Sequence, residues 1–212
     1  APIKSSAVIA DGKVLIGSDD GHVYAVDAAT GQQIWIYKTG QLGEEFMEDP
    51  GPVEAPPLVL GSVVYVGGDD AFFHALDVHT GELKWRFAAE DRIVGSANWA
   101  TAPDGQRHLI FFGSYDNRLY CLDAVTGGLQ WTYQSDYYIN GAPAIADGKI
   151  VFGGCDEILH VVSIIDGTKL QHLPVAAPIA GSAAISDRRA YFGHYGNAFV
   201  AANIDTGQVD WV

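Results

Sequence analysis

Basic residues are scarce in this chain. Twelve lysines and arginines stand against 26 aspartates and glutamates, a formal net charge of −14. So acidic a surface repels phosphate backbones and anionic lipid headgroups, which argues against nucleic acid or an anionic membrane surface and favours cationic or metal-bearing partners. Cysteine is nearly absent too. Cys121 and Cys155 are too few for a disulfide scaffold and do not form a CxxC pair. No apolar run reaches the length of about 18 residues that spans a bilayer, so no membrane-spanning segment is expected. No signal-peptide pattern opens the chain, and without an initiating Met, Ala1 reads as the start of a processed or cut chain.

Charged residues of both signs make up only 18%, hydrophobic residues 48%, and there are 25 Gly and 9 Pro. That profile is globular and turn-rich rather than disordered. A repeat organises it. Gly17 to Trp35, Gly67 to Trp85 and Gly113 to Trp131 each run from glycine through an alternating apolar strand (VYAVD, FHALD, LYCLD) into Asp-x-x-Thr-Gly-x-x-x-Trp. Gly193 to Trp211 is a further copy with Asn203 in the Asp position. Gly153 to Gln171 is degraded, with Ser163 for Asp, Asp166 for Thr and Gln171 for Trp, while Gly167 stays.

The lead glycines, at 17, 67, 113, 153 and 193, are spaced 50, 46, 40 and 40 residues apart. This is the span of one four-stranded propeller blade. Inner strands A are expected at 5–11, 55–61, 95–101, 141–147 and 181–187. Strands B follow tight turns such as Asp11-Gly12 and Asp147-Gly148, which suit two-residue hairpins. No helical period survives, so the chain is expected to be all-β, one propeller domain over 1–212 with four-stranded antiparallel blades at about 5–38, 54–88, 95–134, 141–173 and 181–212.

The A-x-D-x-x-T-G-x-x-x-W pattern, at Ala25–Trp35, Ala75–Trp85, Cys121–Trp131 and, more loosely, Ala201–Trp211, resembles the tryptophan-docking motif of the PQQ-like propeller repeat family. The resemblance implies that Trp35, Trp85, Trp131 and Trp211 are structural, each packed on the neighbouring blade, and that Gln171 makes the weakest such contact. Either five blades close directly or, because family members usually have seven or eight, the resemblance implies a piece of a larger ring, with bare blade faces open to self-association.

The family holds quinoprotein dehydrogenases, with PQQ above a calcium ion, and cofactor-free propellers, among them the outer-membrane-protein assembly lipoprotein and sensor domains of bacterial kinases. The dehydrogenases typically carry a vicinal Cys-Cys pair, whereas these cysteines lie 34 positions apart. The chain resembles the cofactor-free bacterial branch. It is expected to be a non-enzymatic scaffold for protein interaction or ligand binding, outside the cytoplasm in periplasm or at the cell surface, with no cofactor. The alternatives are a fragment of a PQQ-dependent oxidoreductase, which would bring PQQ and calcium, and a sensor domain of a larger signalling protein.

Propeller function concentrates on the face of the B–C turns and D–A links. There the sequence places Tyr115, Tyr137, Tyr138, Asn140, His194, Tyr195 and Asn197, with Trp99 nearby on strand A, a candidate site for a protein or small ligand. The same face carries Glu44, Glu45, Glu48, Asp49 and Glu54 in the longest link, and Asp19, Asp20, Asp69, Asp70, Asp116, Asp156 and Glu157 in the turns. These acids suit calcium or a basic peptide, or are simply turn formers on a solvated surface. His74 and His160 align with Tyr24 and Tyr120 and read as structural. No catalytic residue and no metal-ligand cluster is expected.

Overall fold

The computed structural model describes residues 1–40 and 50–212. The acidic residues Glu44, Glu45, Glu48 and Asp49 lie outside the described residues. The chain forms two compact units, Ala1–Ala97 and Asn98–Val212, and every regular element among the described residues is a β-strand.

The first unit holds blade 1, with β1 (Val8–Ala10), β2 (Lys13–Ser18), β3 (His22–Asp27) and β4 (Gln33–Lys38), and blade 2, with β5 (Leu58–Leu60), β6 (Val63–Gly67), β7 (Phe72–Asp77) and β8 (Leu83–Ala88). The second holds blade 3, with β9 (Asn98–Thr101), β10 (His108–Gly113), β11 (Arg118–Asp123) and β12 (Leu129–Gln134), and blade 4, with β13 (Ala144–Ala146), β14 (Lys149–Gly153), β15 (Ile158–Ser163) and β16 (Lys169–Pro174). Blade 5 completes it with β17 (Ala184–Ser186), β18 (Arg189–His194), β19 (Ala198–Asn203) and β20 (Gln208–Trp211). Each blade is an antiparallel meander in sequence order. The chain is thus an all-β protein of five four-stranded propeller blades.

The strands B and C come where the repeat puts them, and the strands A are shorter. Where 5–11 is expected, only Val8–Ala10 pairs with β2. The preceding residues are committed elsewhere. Pro56, Pro57 and Pro143 have no N–H to give a ladder, the Ser5 hydroxyl donates to the Ala55 carbonyl (3.1 Å), and the Ala142 amide donates to Ser182 Oγ (2.9 Å).

The Asp-x-x-Thr turn between strands C and D builds itself from its own side chains. Asp27 Oδ1 accepts from the amides of Ala29 and Thr30 and from the Thr30 hydroxyl. Asp123 does the same for Val125 and Thr126, and Asn203 for the amides of Asp205 and Thr206. Just before this turn, on strand C, every blade carries a register shift against strand D, as between Ala25 and Val26 or Val161 and Val162.

The motif tryptophans differ in surroundings. Trp35 is 6% exposed, its indole N–H donates to the Val78 carbonyl of blade 2 (3.0 Å), and it covers Gly81, where a methyl group would come within 2.7 Å of the ring. Trp131 repeats this on blade 4 with the Ile164 carbonyl (3.3 Å) and Gly167. Burying a ring of this size contributes on the order of 4 kcal/mol before ordering costs. Gln171 lies on blade 5 in the same manner, above Gly207, with its amide N–H on the Asp205 carbonyl (2.9 Å). Trp85 packs on Tyr65 and Phe73 of its own blade. Trp211 is 48% exposed beside Tyr191 and Phe199.

A second contact joins consecutive blades. The glycine at or next to the end of strand B leaves room for an apolar residue of the following link: Val53 over Gly17, Ile93 over Gly67, Ile139 over Gly113 and Ile179 over Gly153. All four link residues are fully buried.

Candidate interaction face

These contacts hold the B–C turns and D–A links in place. In blade 3 the turn is organised by Asp116, which accepts from the Arg118 amide (3.0 Å) and the Tyr120 hydroxyl (2.6 Å). The link after β12 is tied down by Ser135, whose hydroxyl meets the carbonyls of Asn117 (2.8 Å) and Tyr137 (2.7 Å). The Ile139 amide donates to the Ser114 carbonyl (3.1 Å).

On this footing three tyrosines come together. Tyr115 and Tyr138 are stacked, with ring centroids 4.6 Å apart and planes at 11°, and Tyr137 lies 4.2 Å from Tyr138. The Tyr138 hydroxyl donates to that of Tyr137 (3.1 Å). This bond, with burial adding to it, raises the Tyr138 phenol above its ordinary value. Tyr137 remains 46% exposed. At the foot of the group Asn140 donates to Cys155 Sγ (3.6 Å), while its buried Oδ1 has no partner.

Blade 5 presents the other candidates on its own turn. Tyr195 is 72% exposed and its amide is fixed by the Pro178 carbonyl (3.0 Å). Asn197 is exposed at φ +57°. His194 accepts from the Gly196 amide (3.0 Å) and borders an apolar groove of about 330 Å³ with Val175, Ala198, Val200 and Val209. Trp99 does not join the tyrosines. Its ring stands edge-on against His108 at 5.1 Å, at the end of the blade where strands A and B turn.

The acidic turn residues are mostly internal anchors, which is a different role from a cation or peptide surface. Four turns carry Asp three positions after the lead glycine, and each bonds the ring four positions on. Asp20 and Asp116 accept from the hydroxyls of Tyr24 and Tyr120. Asp70 and Asp156 bond His74 (2.9 Å) and His160 (2.8 Å). Each histidine then meets a tyrosine of the preceding blade: His74 with Tyr37 (3.1 Å), His160 with Tyr133 (3.0 Å). Burial pushes both phenols up to about 12. These chains end on half-buried tyrosine hydroxyls at the seam with the preceding blade, so they build blade contacts. Glu54 pairs with Lys4 (2.6 Å).

Two residues here escaped sequence reasoning: Tyr133 and His172, which converge on His160. The alternation of Tyr and His at one repeat position was the available signal for the Asp-to-ring bonds. Nothing in the spacing pointed to His172.

Cys121 and Cys155 are single free thiols, and among the described residues no group of three or more His, Cys, Asp or Glu is placed to hold a metal. Burial, followed by the Asp156 charge, raises the Cys155 thiol, and burial pushes Cys121 up to about 12, so neither is an activated nucleophile.

Four-stranded antiparallel blades repeated along the whole chain define a β-propeller of the PQQ-like repeat class. The chain belongs to the family described as outer membrane protein assembly factor BamB, whose pattern matches residues 2–104 and 94–212. Among solved structures it is similar to BamB from Moraxella catarrhalis, with a TM-score of 0.80 and 22% identity over 99% of this chain and 61% of that one. It is also similar to the computationally designed Ika8 protein, with a TM-score of 0.78 and 19% identity over 98% of this chain and 60% of that one. The chain therefore spans about three fifths of the length of either structure. Among curated protein sequences none matches.

Proposed function

We propose that the chain is a non-enzymatic propeller, acting outside the cytoplasm, that binds a partner polypeptide through its B–C turn and D–A link face. The observation that carries this is the tyrosine group over Asn140. Tyr115, Tyr137 and Tyr138 offer partly exposed aromatic surface held at low conformational cost, and Asn140 Oδ1 is an acceptor with no donor. A rigid aromatic patch suits an extended segment that lays apolar side chains on the rings. The family supports a scaffold rather than a catalyst, and the name of its relatives supports a client among outer-membrane proteins.

A photo-crosslinking amino acid placed at Tyr137, or at Tyr195, tests the reading in cells, with Val125 on a C–D turn, 79% exposed, as control. A discrete polypeptide adduct from the first two positions and none from Val125 is expected. Equal adducts at all three would overturn the assignment of the face. Quinone absorbance and dye-linked alcohol oxidation on adding PQQ and calcium would overturn the non-enzymatic reading.

A further inference from the structure

Blade 4 repeats the Asp–His–Tyr chain of blade 2 with one addition. In blade 2 the residue paired with His74 across strands C and D is Arg86. In blade 4 the residue paired with His160 is His172, and directly opposed residues on one sheet face lie close enough for their side chains to meet. His172 Nε2 is 3.2 Å from His160 Nδ1, and the Tyr133 hydroxyl is 3.0 Å from His160 Nδ1 and 2.5 Å from His172 Nε2. Three heteroatoms therefore form a closed triangle.

His160 Nε2 faces Asp156 Oδ2 at 2.8 Å. In the tautomer whose proton sits on Nε2, where Asp156 accepts it, His160 Nδ1 presents a lone pair to the other two groups. Tyr133 supplies one proton and His172 Nε2 at most one more, for three contacts. The blade 2 chain has a single contact of this kind, Tyr37 to His74, and one proton satisfies it.

We propose that His160, His172 and Tyr133 form a binding site for a divalent transition-metal cation of the imidazole-preferring kind, copper(II) or zinc. Ligand atoms about 2.0–2.1 Å from a tetrahedral metal lie roughly 3.3 Å from one another, close to the two spacings at His160. The shorter Tyr133–His172 contact opens by less than about 1 Å on binding. A cation turns all three lone pairs into ligands at once, and the phenol proton leaves to solvent. Asp156 behind His160 is the carboxylate support that orients a metal-bound imidazole and raises its basicity. His160 and Asp156 are 1% and 3% exposed, whereas His172 is exposed, so a cation enters past it. Two imidazoles and a phenol suit copper or zinc better than calcium or magnesium, which take oxygen sets.

Copper(II) chloride titrated into the protein at pH 7 tests this. One equivalent binding with a visible phenolate-to-copper absorption band is expected. His172→Thr, which installs the residue that blade 3 carries there as Thr132, should weaken binding at least tenfold. Tyr133→Phe should abolish the band, and circular dichroism checks that both variants keep their strands. The assignment is overturned by absence of binding, by unchanged affinity in His172→Thr, or by a band that persists in Tyr133→Phe.

Discussion

A single side chain in this protein often completes a hydrogen-bonding pattern that the backbone leaves open. Asp77 accepts from the amides of His79 and Thr80 and is held near about 2, first by its bond to Lys84 and then by those amides. His172 is the residue where protonation works against the fold. Its native value lies below the ordinary imidazole value near 6.5, chiefly through burial, so the unfolded chain binds its proton more readily. Stability contributed by neutral His172 is present above about pH 6.5 and is lost as the pH falls through the unfolded value towards the native one. Urea midpoints at pH 7.5 and pH 5 should therefore differ more for the native chain than for His172→Thr; equal differences would refute this role. Residues of this kind were the least legible in the sequence. Asp20, Asp70, Asp116 and Asp156 look like turn formers in a string of letters, and their bonds to rings four positions on emerge only once β2 and β3 pair. Trp99, conspicuous as the tryptophan outside the motif, packs on His108 instead of joining the tyrosines.

At the scale of strands and turns the repeat was almost fully legible, because Thr-Gly, Asp-Gly and the alternating strands encode local geometry directly. What it understated was how completely Gln171 occupies the place of a tryptophan. The amide reaches the next blade's carbonyl and lies over Gly207, as Trp131 lies over Gly167. It supplies the hydrogen bond of an indole with far less apolar area. Gln171→Trp should thus stabilise the second unit by about 1–2 kcal/mol through added burial, seen as a rise of several degrees in its melting temperature. A fall would mean that Ile204 and Asp205 leave no room for the ring. The shortened strands A were not foreseeable from apolar pattern, since their first halves give their polar groups to neighbouring blades.

For the molecule as a whole, the excess of acidic groups sets a field that acts before any contact forms. A partner segment of positive charge should associate faster at low ionic strength, by roughly tenfold between 500 and 50 mM salt, with little change in dissociation rate. Stopped-flow or biosensor kinetics with the crosslinked partner would show it, and a salt-independent association rate would exclude steering. The charge was legible from composition, and so was the acidic stretch 44–49. The tyrosine group was legible only as a list of residues near one face, because stacking depends on where Ile139 seats the link.

Within each unit, the pairing of a blade with its successor also works as an address. Tyr37 meets His74, Tyr133 meets His160, and Leu173 shares a wholly apolar cluster with Val200. If blade 5 followed blade 3 directly, the Tyr133 hydroxyl would face Val200 and lose its partner, a mismatch of about 1–3 kcal/mol. Blades of this array are therefore not interchangeable beads. A gene that lengthens or shortens it without such a penalty must copy or delete stretches that keep each sender with its receiver, and the order of the blades is inherited along with their number.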